Sequence, residues 1–225
     1  MFAWSGALLF ALSTAVFLFH YVFRFGMPAP SGDAARAMTW NVLLFTLFAI
    51  HHSVFARERV RAAVARIVPA ELERSVYVWV ASVVFLAVVL FWQPVPGVAW
   101  QVDGLARWAL RILWLSGLWL TLRSAAILDI RELAGLTRPT SHTRPTEYRS
   151  VGPYGWVRHP IYTGWFLLVF AVSPMTMTRL VFAAVSCAYL LIGIQFEERS
   201  MRAAPPGAYD RYMQRVRWKL LPGVY

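Results

Sequence analysis

Long apolar runs alternate with short charged connections along most of this chain. Residues 3–23, 38–55, 75–92 and 105–128 are each long and apolar enough to cross a bilayer as a helix, which takes roughly 20 residues. A fifth run, 161–172, is short and stops at Ser173-Pro174, whereas a sixth, 180–196, is again long enough to cross. Pro174 lacks the N–H that would continue a helix, so the last two runs predict a tight helical hairpin with the proline at its turn. The fold expected is all-α: a polytopic membrane helix bundle of about five or six transmembrane helices. It is expected to form one domain over residues 1–225, with N-terminal helices in 1–128 and a loop, the helical hairpin and a tail in 129–225. Residues 137–153 are rich in Thr, Ser, Pro and Arg and predict a loop, because residues before prolines avoid the helical region. Residues 209–219 mix aromatic with basic side chains. They predict an interfacial helix or lid with Tyr209, Tyr212 and Val216 on one face.

Charge orients this pattern. Arg57, Arg59, Arg61, Arg66 and Arg74 follow the second run, and Arg131, Arg138, Arg144, Arg149 and Arg158 follow the fourth. Arg199, Arg202, Arg211, Arg215, Arg217 and Lys219 follow the sixth. The opposite connections hold Arg24, Arg36, Arg107 and Arg179. Basic loops stay in the cytoplasm, so both termini are expected there, together with residues 158–162 and 197–198.

Composition supports a membrane protein: 59% of residues are hydrophobic, against about 45–50% in a soluble domain. The net charge of +11 comes without a long basic run or a soluble nucleic-acid reader motif. Basic residues beside apolar runs read instead as anchors to anionic lipid headgroups. Cys187 is the single cysteine and lies inside an apolar run, which excludes an internal disulfide and a multi-cysteine zinc site. The first run has no basic segment before it and no Ala-x-Ala cleavage pattern, and is expected to be a retained helix.

Candidate chemistry gathers in Arg158-His159-Pro160-Ile161-Tyr162 and in Glu197-Glu198. Polar groups beside a bilayer core are costly and mark a site by default. Proline favours the first position of a helix, so Arg158 and His159 fall just before a helix that starts at Pro160, with Tyr162 in its first turn. Free N–H groups there, with the Arg158 charge, favour an anionic ligand group. Glu197-Glu198 follow the sixth run, where carboxylates oppose the helix dipole by a few tenths to about 1 kcal/mol. A cationic ligand or an arginine partner offsets that. His51 and His52 are neighbours on a helix and point about 100° apart, so they form no chelating pair. His52 is expected as an interhelical polar residue, and His20 in another helix leaves a bis-histidine haem as an alternative. No metal site is predicted.

These motifs together resemble the membrane methyltransferase superfamily of isoprenylcysteine carboxyl methyltransferase and the phospholipid methyltransferases. The resemblance lies in Gly152-Pro153-Tyr154, Arg158-His159-Pro160-Ile161-Tyr162-Thr163-Gly164, the apolar hairpin, Glu197-Glu198, and Tyr209 with Tyr212. His52-Ser53-Val54-Phe55, Glu73-Arg74-Ser75-Val76-Tyr77 and Phe91-Trp92-Gln93-Pro94 look like the methanethiol S-methyltransferase and NnrU-like branch. The resemblance implies S-adenosylmethionine as methyl donor, bound at the cytoplasmic face. Carried over by position, His159, Tyr162 and Glu198 contact the donor, with Arg158, Glu197 and Tyr154 beside it. Arg158, His159 and Glu197 are candidates for a catalytic role. A thiol acceptor reacts as its thiolate, so a base or a nearby cation is needed. The activity implied is methylation of a small thiol, methanethiol to dimethyl sulfide. The alternatives are methylation of an isoprenylcysteine carboxylate or a phospholipid amine, or a non-catalytic haem-binding or transport-accessory role. The partners implied are a small apolar or lipid-like acceptor and membrane lipids, with no nucleic acid, in a bacterial inner membrane. The chain contains no Gly-x-Gly-x-x-Gly, so a soluble dinucleotide-binding fold is not supported.

Overall fold

The computed structural model of the protein describes residues 1–55, 57, 60, 63–64, 66–69, 72–128, 130–136, 148, 150–203 and 207–225. Most of the loop expected over 137–153 lies outside them, as do Arg59, Arg61, Arg138, Arg144 and Arg149 from the charge pattern. The helices are α1 (Phe2–Phe19), extended by a π-helical turn (His20–Arg24), α2 (Ala34–Phe55), α3 (Glu73–Phe91) and α4 (Gly104–Ile127). They continue with a short α5 (Ile130–Leu133), α6 (Pro160–Phe170), α7 (Met177–Arg202) and α8 (Ala208–Arg215). A 3-10 turn spans Gly152–Gly155, and two short strands, β1 (Val98–Trp100) and β2 (Met175–Thr176), pair antiparallel.

Among the described residues, five helices are long and apolar enough to span a membrane, and Pro160–Phe170 is a shorter apolar one. Large apolar side chains point outward along them, including Leu8, Leu43, Ile112, Trp119 and Ile192. Such an outer surface suits acyl chains rather than water, so the protein is an integral membrane protein.

The described residues sort into two compact units. The first draws on residues 1–101, 131–138 and 174–185, and the second on 102–130, 139–173 and 186–225. In the first, α3 packs against α1 and α2 around a cluster of Phe17, Tyr21, Phe25 and Phe182, with the Phe17 and Phe182 rings stacked at 5.2 Å. In the second, α4 and α6 pack closely because glycines face each other. A Cβ on Gly164 would overlap Thr121 and the Gly117 carbonyl, and one on Gly117 would overlap Leu167. Gly164, part of the sequence signature, therefore serves close helix approach.

Three sequence expectations are corrected. The second helix begins at Ala34, four residues before its apolar run, because the Asp33 carboxylate accepts the Arg36 N–H at 3.0 Å and caps a polar first turn. The sixth run does not end the helix at Phe196. α7 continues to Arg202, so Glu197 and Glu198 are helical and the last turn carries Arg199 and Arg202, which complement the dipole. Apolarity tracks the bilayer; helix continuation depends on local backbone preference. Arg179 is not a loop charge either. It lies in the first turn of α7, buried, with Nε 2.9 Å from the Tyr21 carbonyl and Nη2 2.6 Å from the Val22 carbonyl. Pro174 lies in the connection between α6 and α7.

His52 is an interhelical polar residue: its Nδ1 lies 2.8 Å from the Tyr77 hydroxyl.

Candidate functional site

The site is built within the second unit. Pro160 fixes the start of α6, and His159 is its N-cap residue. The main-chain N–H groups of Arg158 and His159 are turned away from α6 and donate to the carbonyls of Trp218 and Lys219, each at 2.9 Å. The Thr163 hydroxyl donates to the Leu220 carbonyl at 2.8 Å. Arg158 Nη1 reaches the carbonyls of Val216 at 3.0 Å and Arg217 at 2.6 Å. Main-chain oxygens from Val216 to Leu220 thus run as a strap along the head of α6. The main-chain N–H groups of Arg158 and His159, and two guanidinium nitrogens of Arg158, are occupied by carbonyls and a carboxylate.

That carboxylate is Glu198. Its Oε1 accepts from Arg158 Nε at 2.7 Å, from His159 Nε2 at 3.2 Å and from the Tyr209 hydroxyl at 3.2 Å. Both partners of the Arg158–Glu198 pair are buried, with side chains 7% and 6% exposed. Burying two charges is tolerated only with further hydrogen bonds, which the tail carbonyls, His159 and Tyr209 supply.

Glu197 differs. Its side chain is 41% exposed, and its Oε2 accepts from the Tyr162 hydroxyl at 3.0 Å and lies 3.5 Å from His159 Nδ1. The His159 and Tyr162 rings stack at 5.5 Å with planes 5° apart. One turn of α7 therefore offers a locked carboxylate inward and a more accessible one, met by the Tyr162 hydroxyl and the His159 ring nitrogen, outward.

The tail closes the arrangement. Gly207, at φ 80°, takes the left-handed conformation that starts α8, and Tyr209, Tyr212 and Val216 form a buried cluster flanked by Tyr148, Met201 and Met213. The Tyr212 hydroxyl donates to the Tyr154 carbonyl at 2.8 Å, tying the tail to the Gly152–Gly155 turn. Burial raises the hydroxyl pKa values of Tyr154 and Tyr209, with Tyr212 and Glu197 adding for the first and Glu198 for the second. Burial pushes Tyr212 up to about 12.

The structure brings the predicted residues Arg158, His159, Tyr162, Glu197 and Glu198 into direct contact, with Tyr154 beside them through Tyr212 and the field of Glu197. The tail face of Tyr209, Tyr212 and Val216 is as expected. What sequence reasoning missed is the strap. Carbonyls at 216–220 carry no side-chain signature, and neither Thr163 nor Tyr148 stands out from its neighbours.

Comparison with known proteins bears on this geometry. The family model for the isoprenylcysteine carboxyl methyltransferase (ICMT) family matches residues 139–203, from before Tyr154 to beyond Glu198. The chain is 36% identical to methanethiol S-methyltransferase 2 of Bradyrhizobium diazoefficiens over 85% of its own length and 74% of the relative's. Methanethiol S-methyltransferase 1 of the same organism is 37% identical over 82% and 67%. The methanethiol S-methyltransferase of Mycobacterium tuberculosis is 37% identical over 84% and 78%. The chain belongs to the methanethiol S-methyltransferase family. No solved structure matches it. In this membrane methyltransferase the family match ends before α8, so the Tyr209 contact and the strap lie outside the matched segment.

Proposed function

We propose that this protein methylates a small thiol, converting methanethiol to dimethyl sulfide with S-adenosylmethionine as donor, at the cytoplasmic face of a bacterial inner membrane. The observation that carries this reading is the half-exposed Glu197 carboxylate beside the stacked His159 and Tyr162 rings. A half-exposed carboxylate beside two stacked aromatic rings suits a ligand bearing an ammonium and a sulfonium. These residues and Tyr154 would hold the donor, which when bound supplies an electrophilic methyl group.

The roles divide by exposure. Glu197 meets the cationic part of the donor, and His159 and Tyr162 present their faces to it. Glu198, locked by Arg158, His159 and Tyr209, sets the position of His159 rather than meeting the donor. Arg158 positions Glu198 and the strap. An acceptor thiol loses its proton and reacts as thiolate; His159 and Glu197 are the groups placed to take that proton. Orientation and water exclusion supply most of the acceleration, up to roughly 7–11 kcal/mol in favourable cases.

The relatives' names favour methanethiol. The match to the isoprenylcysteine carboxyl methyltransferase model favours a lipid-bearing acceptor as the second reading. Purified protein given methanethiol and donor is expected to release dimethyl sulfide into the headspace. Donor binding without that product sinks the thiol reading and leaves the second.

A further inference from the structure

The second unit holds a cleft of about 870 Å³, towards the upper end of small-molecule sites at about 300–1,000 Å³. Its lining includes Phe170 and Ala171, where α6 runs out, and Leu110 and Leu113 of α4. With 11 residues α6 is about 16 Å long, roughly half of a bilayer's hydrocarbon thickness, so beyond Phe170 it no longer fills the space beside its neighbours. The cleft follows α6 from Thr163 to Ala171, about 12 Å at the helical rise.

Polar groups sit at one end, at Thr163, Gln195 and Tyr225. The Tyr225 hydroxyl accepts from Gln195 Nε2 at 2.8 Å and from Lys219 Nζ at 3.0 Å, and the ammonium lies 4.4 Å from the Tyr225 ring centre. The Lys219 ammonium has three N–H donors, and one goes to Tyr225. Lys219 does not line the cleft but its ammonium sits against Tyr225, which does, and an apolar cleft with a cation beside its polar lining is complementary to an acidic amphiphile. The flanking helices α4 and α7 are candidate membrane spans, so the medium around the cleft is acyl chains.

We propose that this cleft is a binding site for one acyl chain of an acidic membrane phospholipid, with the headgroup at Lys219. The site is separate from the Glu197 face. It couples to it through the strap, because the Lys219 carbonyl accepts the His159 N–H while the N–H groups of Lys219, Leu220 and Leu221 donate to the Tyr225 main-chain oxygen at 2.8, 2.8 and 3.1 Å. An occupied cleft and a formed strap therefore support each other.

Native mass spectrometry of the full chain, exchanged from nanodiscs of phosphatidylglycerol or of phosphatidylcholine into mild detergent, tests this without reference to methyl transfer. Wild type is expected to retain one phosphatidylglycerol, about fivefold more often than phosphatidylcholine, roughly what one basic residue near an anionic headgroup contributes. Leu167→Trp, which fills the cleft, is expected to retain neither, and Ala171→Trp, at a buried lining position, serves if that variant misfolds. Lys219→Gln is expected to keep binding a lipid but to lose the preference. Equal retention of the two lipids by wild type overturns the proposal, whatever the variants do. So does unchanged retention in a folded, cleft-filled variant, or an unchanged preference in Lys219→Gln.

Discussion

Arg179 in the first unit and Arg158 in the second are both buried guanidiniums, but their surroundings differ. Arg179 gives its N–H groups to main-chain carbonyls of Tyr21, Val22 and Pro174. The carbonyls of Tyr21 and Val22 belong to the π-helical end of α1, where C=O groups lack helical partners. Arg179 thus fastens one helix end to another, and Gly26 leaves room for it, since a Cβ there would overlap the guanidinium. Arg158 also holds carbonyls, but its Nε is committed to Glu198, and the residue before Glu198 in the chain, Glu197, is a half-exposed carboxylate. A cation among carbonyls makes architecture. A cation that locks one carboxylate while its neighbour stays accessible makes a charge pattern that a ligand can use.

Removing either arginine separates these roles. Arg158→Met leaves Glu198 buried without its main counter-charge and is expected to lower unfolding free energy by about 3–5 kcal/mol, with loss of donor binding. Denaturant unfolding in detergent reads this, and a loss below about 1 kcal/mol would contradict a buried pair. Arg179→Met is expected to cost about 2–3 kcal/mol through unanswered carbonyls, while the folded fraction binds donor as wild type does. A matching loss of donor affinity would erase the distinction between the two arginines.

Smaller changes sharpen the second region. Tyr212→Phe removes the hydroxyl that ties α8 to the Tyr154 carbonyl and is expected to cost about 1 kcal/mol. Limited proteolysis should then cut more readily between α7 and α8; an unchanged cleavage rate would place the tail's anchorage elsewhere. The alkaline behaviour of the same cluster is the smallest effect. Tyrosine ionises near about 10 in an unfolded chain, whereas burial pushes Tyr212 up to about 12 and raises Tyr209. Raised folded values mean that the contribution is complete below about pH 10 and is lost as pH climbs through the folded values. Difference titration of tyrosinate absorbance between wild type and Tyr212→Phe should place that ionisation above pH 11, and a midpoint near 10 would contradict the buried setting.

The bilayer writes itself into sequence as long apolar runs, so the spanning helices were legible to within a few residues. Their ends were less so. Asp33 caps α2 before its apolar run begins, and Glu197 to Arg202 continue α7 after its run stops, because polar residues extend a helix without extending apolarity. The side chains of the site were legible because polar groups are conspicuous beside apolar runs. Their division of labour was not. The residues left open whether the Glu197-Glu198 pair meets a cationic ligand or an arginine, the resemblance implied a donor contact for Glu198, and burial with hydrogen bonding pairs Glu198 with Arg158. The carbonyls of residues 216–220 and the small β1–β2 pairing leave no mark on side-chain chemistry.

Calorimetric titration of S-adenosylmethionine into wild type and Glu197→Gln tests the central claim most directly. The charge-assisted contact proposed for Glu197 is worth about 1.5–3 kcal/mol. The account predicts binding by wild type and an affinity about 10–100-fold weaker in the variant, which unfolds within about 0.5 kcal/mol of wild type. Equal affinity in the two proteins, both folded, would contradict it.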